Sequence, residues 1–399
     1  MNPQWRTVPM KSEVKLLSGG TPKKSEDRYW DGTIPWVSSG EMVQRRISDT
    51  ELHVTDEGVT NGTKLVPANT VLVVVRGMSL AKEFRVSLTL RPVTFNQDLK
   101  ALKPSAKIDP GFLFYYLQSQ RHAIRDSATD ASHGTKKLES RVLESWPLPI
   151  PDLTEQYAIR DVLSAYDDLI ENNRRRIQLL EEAARLLYRE WFVHLRFPGH
   201  EHVAIKDGVP EGWERRTLGD LCKEIRETVK PEALEPDTPY IGLEHMPRRS
   251  ISLGEWGTAE QITSSKHRFH EGDILFGKIR PYFHKVGIAF VDGIASSDTI
   301  VIRPCEHDLR NFVLMTVSSD PFVAVTAQTM REGSKMPRAD WKQMQAYLTP
   351  LPPSGLLDNF DRSIQAIIEQ LKSLSLTNQK LAQARDLLLP RLMNGEIIV

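Results

Sequence analysis

Two halves of this chain carry the same succession of features, offset by roughly half its length, and this duplication limits the fold more than any single segment does. Trp5-Arg6-Thr7-Val8 is answered by Trp213-Glu214-Arg215-Arg216-Thr217-Leu218, and Pro67-Ala68-Asn69-Thr70-Val71-Leu72 by His270-Glu271-Gly272-Asp273-Ile274-Leu275. Further on, Asn96-Gln97-Asp98 is answered by Ser296-Ser297-Asp298. The polar loop Ser132-His133-Gly134-Thr135-Lys136-Lys137-Leu138 corresponds to Arg331-Glu332-Gly333-Ser334-Lys335-Met336. The hinge Trp146-Pro147-Leu148-Pro149-Ile150-Pro151 corresponds to Leu348-Thr349-Pro350-Leu351-Pro352-Pro353. Order is kept while identities are few, as expected of two diverged copies of one module.

Each hinge is followed by a helical pattern. X-Pro steps bias the preceding residues away from helix, and Asp152 with Glu155 can then form a capping box. From there Ile159, Leu163, Tyr166, Ile170, Asn173, Ile177, Leu180, Ala184, Leu187 and Trp191 alternate steps of four and three, the seam of a coiled coil. Phe360, Ile364, Ile367, Leu371, Leu374, Asn378, Leu381, Arg385, Leu388 and Leu392 repeat it, with Asn394-Gly395 as a C-terminal cap. The plainer alternative is an amphipathic helix laid on a globular core, which carries a broader apolar face.

A length of 399 residues suits two or three domains, and 40% hydrophobic with 26% charged residues suits a globular chain. No apolar run approaches a bilayer span, and residues 1–11 lack a signal-peptide core, so a cytoplasmic protein is expected. Only Cys222 and Cys305 are present, which supplies no disulfide framework.

Net charge is zero, so any nucleic-acid signal must be local. Lys278-Ile279-Arg280-Pro281-Tyr282-Phe283-His284-Lys285 interleaves cations with aromatics, and Arg76 and Lys82 do so more weakly in the first half. Thr135, Lys136, Lys137, Ser334 and Lys335 sit in Gly-containing loops whose donors can reach a phosphate. Such clusters are commonly plain solvated surface. Their recurrence in both halves favours a site.

Catalytic chemistry is represented by look-alikes. Gly272 to Lys278 has the spacing of a phosphate-binding loop, but Ile279 stands where Ser or Thr must hold magnesium. Asn2-Pro3-Gln4-Trp5 has the outline of an amino-methyltransferase motif without a Gly-rich cofactor loop before it. His267 with His270, or Cys305 with His307, lacks a second pair at zinc spacing. No catalytic residue and no metal ligand is expected.

Gly19-Gly20-Thr21-Pro22, Tyr29-Trp30, Gly32-Thr33-Ile34-Pro35-Trp36-Val37 and Gly277-Lys278-Ile279-Arg280-Pro281 stand beside the Pro-rich hinges. They are joined by Glu155-Gln156, Ala183-Ala184-Arg185-Leu186-Leu187 and the closing run from Arg385 to Ile397. Together these residues resemble the specificity subunit of type I restriction-modification enzymes, across essentially the whole chain. The second half offers Thr238-Pro239-Tyr240-Ile241 in place of Gly-Gly-Thr-Pro.

The resemblance implies an α+β chain in which two mixed α/β target-recognition domains are separated by two long antiparallel coiled-coil helices. The domains would be 1–152 and 200–353, and the spacer helices 153–199 and 354–399. It further implies a non-enzymatic subunit that binds a bipartite, asymmetric site in double-stranded DNA and assembles with methyltransferase and restriction/translocase subunits. S-adenosylmethionine, ATP and magnesium would belong to those partners, and the biological role would be defence against foreign DNA. Arg76, Thr135, Lys136, Lys137, Lys278, Arg280, Tyr282, Lys285, Ser334 and Lys335 are the expected DNA contacts. Tyr188, Arg189, Trp191 and Phe192 exceed what a two-helix seam can cover, so they are expected to be exposed and to dock methyltransferase subunits. The competing expectation is a duplicated coiled-coil scaffold whose globular domains bind protein or glycan.

Overall fold

A computed structural model describes residues 5–131, 134–328 and 337–399. Its contacts divide the chain into two units, residues 1–168 with 382–399, and residues 169–381. The first unit is therefore assembled from two separate stretches of sequence.

Inside the first unit, Val14–Ser18, Leu99–Pro104, Val71–Val74, Val86–Thr89 and Arg46–Ile47 lie side by side as a five-stranded sheet. Inside the second, Cys222–Ile225, Thr299–Pro304, Ile274–Gly277, Val286–Ala289 and Ser252–Leu253 take the same order. Both sheets are antiparallel except at the last pair, where Arg46–Ile47 and Ser252–Leu253 run parallel to their neighbours. The middle strands, Val71-Leu72-Val73-Val74 and Ile274-Leu275-Phe276-Gly277, are buried throughout, as continuous β-branched and aromatic runs should be. Gly272, at φ +87°, forms the turn before the second of these, so the phosphate-loop look-alike is a strand.

The openings and hinges zip together: Arg6–Pro9 pairs with Pro147–Ile150, and Glu214–Thr217 with Leu348–Leu351, both antiparallel. A smaller sheet in each unit contains one parallel pair, Trp36-Val37 beside Thr94-Phe95 and Tyr240-Ile241 beside Ile294-Ala295. Pro239-Tyr240-Ile241 is thus the counterpart of Pro35-Trp36-Val37 and not of the Gly-Gly-Thr-Pro turn. That turn has its own cause. A Cβ at Gly19 would overlap the Phe95 carbonyl oxygen, while Gly20 N–H donates to it at 2.9 Å and the Trp36 indole donates to Gly20 O at 3.1 Å.

The expected long helices are present as Leu153–Tyr188 (36 residues) and Ser354–Met393 (40 residues). In the second unit Asn173 meets Asn378 at one point, and Phe192 meets Phe360 at another, so the helices run in opposite directions. In the first unit Asp167 meets Arg385, and Ile159 and Leu163 share one core with Leu389 and Leu392. The expected pair of long antiparallel helices is therefore present, and the plainer alternative describes a share of their apolar faces as well. Between Asn173 and Asn378 they make a seam, whereas their remaining apolar residues pack onto globular cores, as Phe360, Ile364 and Ile368 do in the second unit.

The first helix ends earlier than expected, in a π-helical turn, Arg189–Val193. By then the buried positions have moved from Leu187 and Trp191 to Tyr188 and Phe192. A straight helix of 3.6 residues per turn drifts about 20° per heptad from a 3.5-residue pattern, which carries the core face across by one position. Among the described residues no helix is long and apolar enough to cross a membrane.

Candidate nucleic-acid interface

In the first unit the middle strand of the large sheet leaves the core and continues as Arg76–Gly77, which joins a small three-stranded sheet with Lys136–Lys137 and Thr129–Asp130. Leu138 N–H donates to Val75 O at 2.9 Å and so anchors the end of the polar loop to the emerging strand. Pairing places Arg76 directly opposite Lys137, and Lys136 opposite Gly77. Like charges directly across a ladder repel. Lys136 has Asp130 at 3.8 Å, whereas among the described residues no carboxylate pairs with Arg76 or Lys137, both of which are exposed. Two facing cations without a counter-ion on an exposed edge make a place for an anion. Three residues that the sequence singled out are thereby brought together, and Thr135 precedes them in the same loop.

The second unit repeats the construction. Ala339 N–H donates to Lys278 O at 2.8 Å and Arg280 N–H to Pro337 O at 2.9 Å, with Ile279 bridging Arg338. Val75 N–H and Lys278 N–H donate respectively to Asp98 O and Asp298 O, both at 2.8 Å. Hence Val75 and Lys278 hold the same place, Arg76 matches Ile279, and Lys137 matches Arg338. Pairing the loops through Gly134 and Gly333 passes over Arg338, an exposed guanidinium 3.2 Å from Asp298. A cation followed by a small apolar residue, Lys137-Leu138 and Arg338-Ala339, was the available signal. Ser334 and Lys335 lie outside the described residues.

The other cations of this segment divide. Arg280 and Tyr282 are exposed. Lys278 and Lys285 are half-buried, donating to Ser297 O at 3.1 Å and Leu243 O at 2.5 Å. Burial pushes both ammonium groups below the ordinary lysine range, with Arg248 adding to the effect at Lys285 and Glu224 opposing it at Lys278. These two lysines brace the strand end from within rather than standing clear of it. Arg248 is an exposed neighbour that sequence reading did not single out, its guanidinium 4.0 Å from the Phe283 ring centroid.

The expected docking cluster is corrected by the structure. Tyr188 and Phe192 are 7% and 5% exposed, and Trp191 is half-buried. The Tyr188 hydroxyl donates to Thr316 Oγ1 at 3.1 Å, and the Phe192 ring lies 4.7 Å from Phe360 and 5.0 Å from Phe312. These aromatics are core of the second unit because the globular layer behind the helix covers the face that a two-helix seam would leave open. Arg189 alone of the four is exposed.

The family model for the type I restriction modification DNA specificity domain matches residues 2–182 and 210–385. The chain belongs to this family. Each of its two matched stretches takes in the large sheet of one copy of the fold just described. Among curated relatives of the family, the type I restriction enzyme MjaIX specificity subunit of Methanocaldococcus jannaschii is 24% identical over 418 residues, spanning 99% of this chain and 94% of the relative. The HindI specificity subunit of Haemophilus influenzae is 22% identical, spanning 97% of this chain and all of the relative. The crystal structure of a type I restriction-modification S subunit from M. genitalium shares the fold, with a TM-score of 0.61 at 16% identity over 98% of this chain and 96% of that one.

Proposed function

We propose that this chain is the DNA-recognition subunit of a type I restriction-modification complex, and that each of its two units reads one half of a split target. Methyltransferase and restriction/translocase subunits would assemble with it and bring the chemistry, together with their S-adenosylmethionine, ATP and magnesium. The observation that carries the reading is the repeated strand end: Arg76 facing Lys137 in one unit, and Ile279-Arg280 bound to Pro337-Arg338-Ala339 in the other. Exposed cations held by backbone hydrogen bonds on a rigid sheet edge suit phosphate contacts, which set register on a duplex. The two strand ends differ in sequence, so the halves of the target should differ as well, since a palindrome mirrors identical readers.

Binding of random-sequence duplex by the full chain, titrated with salt, tests the reading. The affinity should fall steeply with salt, and Arg76→Ala with Lys137→Ala should flatten the log–log slope by about two units, at roughly 0.9 per phosphate lost. A duplicated scaffold for protein or glycan would leave the duplex unbound at every salt concentration. Methylation mapping with the partner subunits present would then identify the target.

A further inference from the structure

One feature of both strand ends goes beyond phosphate contact. Immediately after the cation-bearing strand the chain turns through a residue of positive φ, Gly77 at +126° in the first unit and Arg280 at +49° in the second. It then enters a short helical segment, Met78–Lys82 or Pro281–Phe283. The inner side of each segment is anchored. Leu80 is fully buried in the first, while in the second Pro281 is buried and His284, also buried, lies with Nε2 2.6 Å from Ser318 O. Arg280 and His284 bracket the second turn in left-handed backbone that favours glycine, so the surrounding contacts hold this loop in a conformation it would not adopt alone.

The outer side of each segment displays one large apolar side chain. Met78 is 72% exposed and Tyr282 53%, although the sequences Gly-Met-Ser-Leu and Arg-Pro-Tyr-Phe have nothing in common. Around Met78 the neighbouring strands carry Arg76 and Lys137, and Lys82 closes its own segment; near Tyr282 stand Arg280, just before it in the chain, and Arg248, both over the Phe283 ring, while Arg338 bridges Ile279 at the base of the turn. Tyr282 itself stands edge-on to Phe283, with centroids 5.1 Å apart, and is thereby held upright. A single apolar tip flanked by exposed cations does not suit an apolar protein surface, which would strand the charges. It suits a polyanion whose interior is a stack of flat apolar faces.

We propose that Met78 and Tyr282 are wedges, each entering the base stack of the half-site that its own unit reads and opening one base step there. This rests on the DNA-recognition reading above and adds to it a deformation of the duplex. The flanking cations hold the phosphates on either side of the opened step. Specificity then arises in part from how readily that step unstacks, independently of hydrogen bonds to base edges.

The test uses the full chain without partner subunits, so that no methyltransferase can itself extrude a base. Duplexes carry the target mapped as above, with 2-aminopurine placed in turn along each half-site. Fluorescence should rise at one step in each half. Tyr282→Ala should abolish the rise in the second half-site only and weaken target binding about tenfold, while Tyr282→Phe retains both. Met78→Ala should do the same in the first half-site, with Met78→Leu retaining the signal. Both side chains are exposed, so thermal melting and the salt slope on random duplex should be unchanged in all four variants. If target and random duplex are bound with the expected salt dependence but no step brightens, or the alanine variants brighten like the wild type, the wedges are overturned and the recognition reading stands. If neither duplex is bound, both fall.

Discussion

Arg385 occupies a seam position where an aliphatic side chain is the ordinary choice, and it is buried. Its guanidinium donates to Asp167 Oδ1, whose other oxygen accepts from the Tyr115 hydroxyl at 2.8 Å, while Arg45 stands 3.8 Å from Asp167 and 3.5 Å from Asp386. Breaking a buried pair from one side leaves an uncompensated charge, whereas replacing both partners by apolar groups is often near neutral. Asp167→Leu should therefore destabilise the first unit by about 3–5 kcal/mol, and adding Arg385→Leu should recover part of that loss, the Tyr115 hydroxyl and Arg45 still lacking the carboxylate. Denaturant unfolding of the single and double variants checks it. Burial likewise holds the His284 imidazole below its usual value, helped by Arg249 and opposed by the Ser318 carbonyl and Asp320. The unfolded chain then takes up the proton first, so this contribution to stability is complete above about pH 6.5 and is lost as pH falls below it. Thermal melts across that range should show the slope, and His284→Gln should flatten it. At this scale the sequence was legible where geometry forces a residue, as at Gly19, and illegible where a side chain's direction decides. Nothing in the run from Lys278 to Lys285 distinguishes the two half-buried lysines from the exposed Arg280, because half-burial is set by Leu243 and Ser297 from distant segments.

The long helices, as elements, were the most legible part, since their period is local. What periodicity could not tell was which layer would cover each turn, and so Tyr188 and Phe192 were expected outside and lie inside. The polar seam position was visible as Asn173 and Asn378, and the structure joins them by an amide hydrogen bond of 2.9 Å. An Asn pair in the seam, Asn173 buried and Asn378 half-buried, lowers stability but fixes register, because only one alignment satisfies both amides. Replacing both by Leu should raise the melting temperature, while cysteine crosslinking between the helices should find more than one alignment. A unique alignment in the double variant would assign register to other groups. The strongest of these is Glu181, whose Oε1 accepts from Ile251 N–H and Ser252 N–H, both at 3.0 Å, and from the Ser250 and Ser252 hydroxyls.

At the scale of the whole molecule, duplication was legible because order survives when identity does not, and it carried the fold class. The makeup of the units was not legible, because linear reading closes a domain at its hinge. In the structure Leu389, Leu392 and Met393 belong to the core formed around Phe112, Leu148 and Ile159. This has a consequence in time. A ribosome adds about 5–20 residues per second, and the N-terminal domain of a chain ordinarily folds first. Here residues 382–399 are made after the whole of the second unit, yet the first needs them to close its core. The second unit should therefore mature first, and chains stalled with residue 381 the last outside the ribosome should resist protease across 169–381 while being cut within 1–168. Each newly made molecule would thus pass through a half-finished state in which residues 1–168 still await residues 382–399.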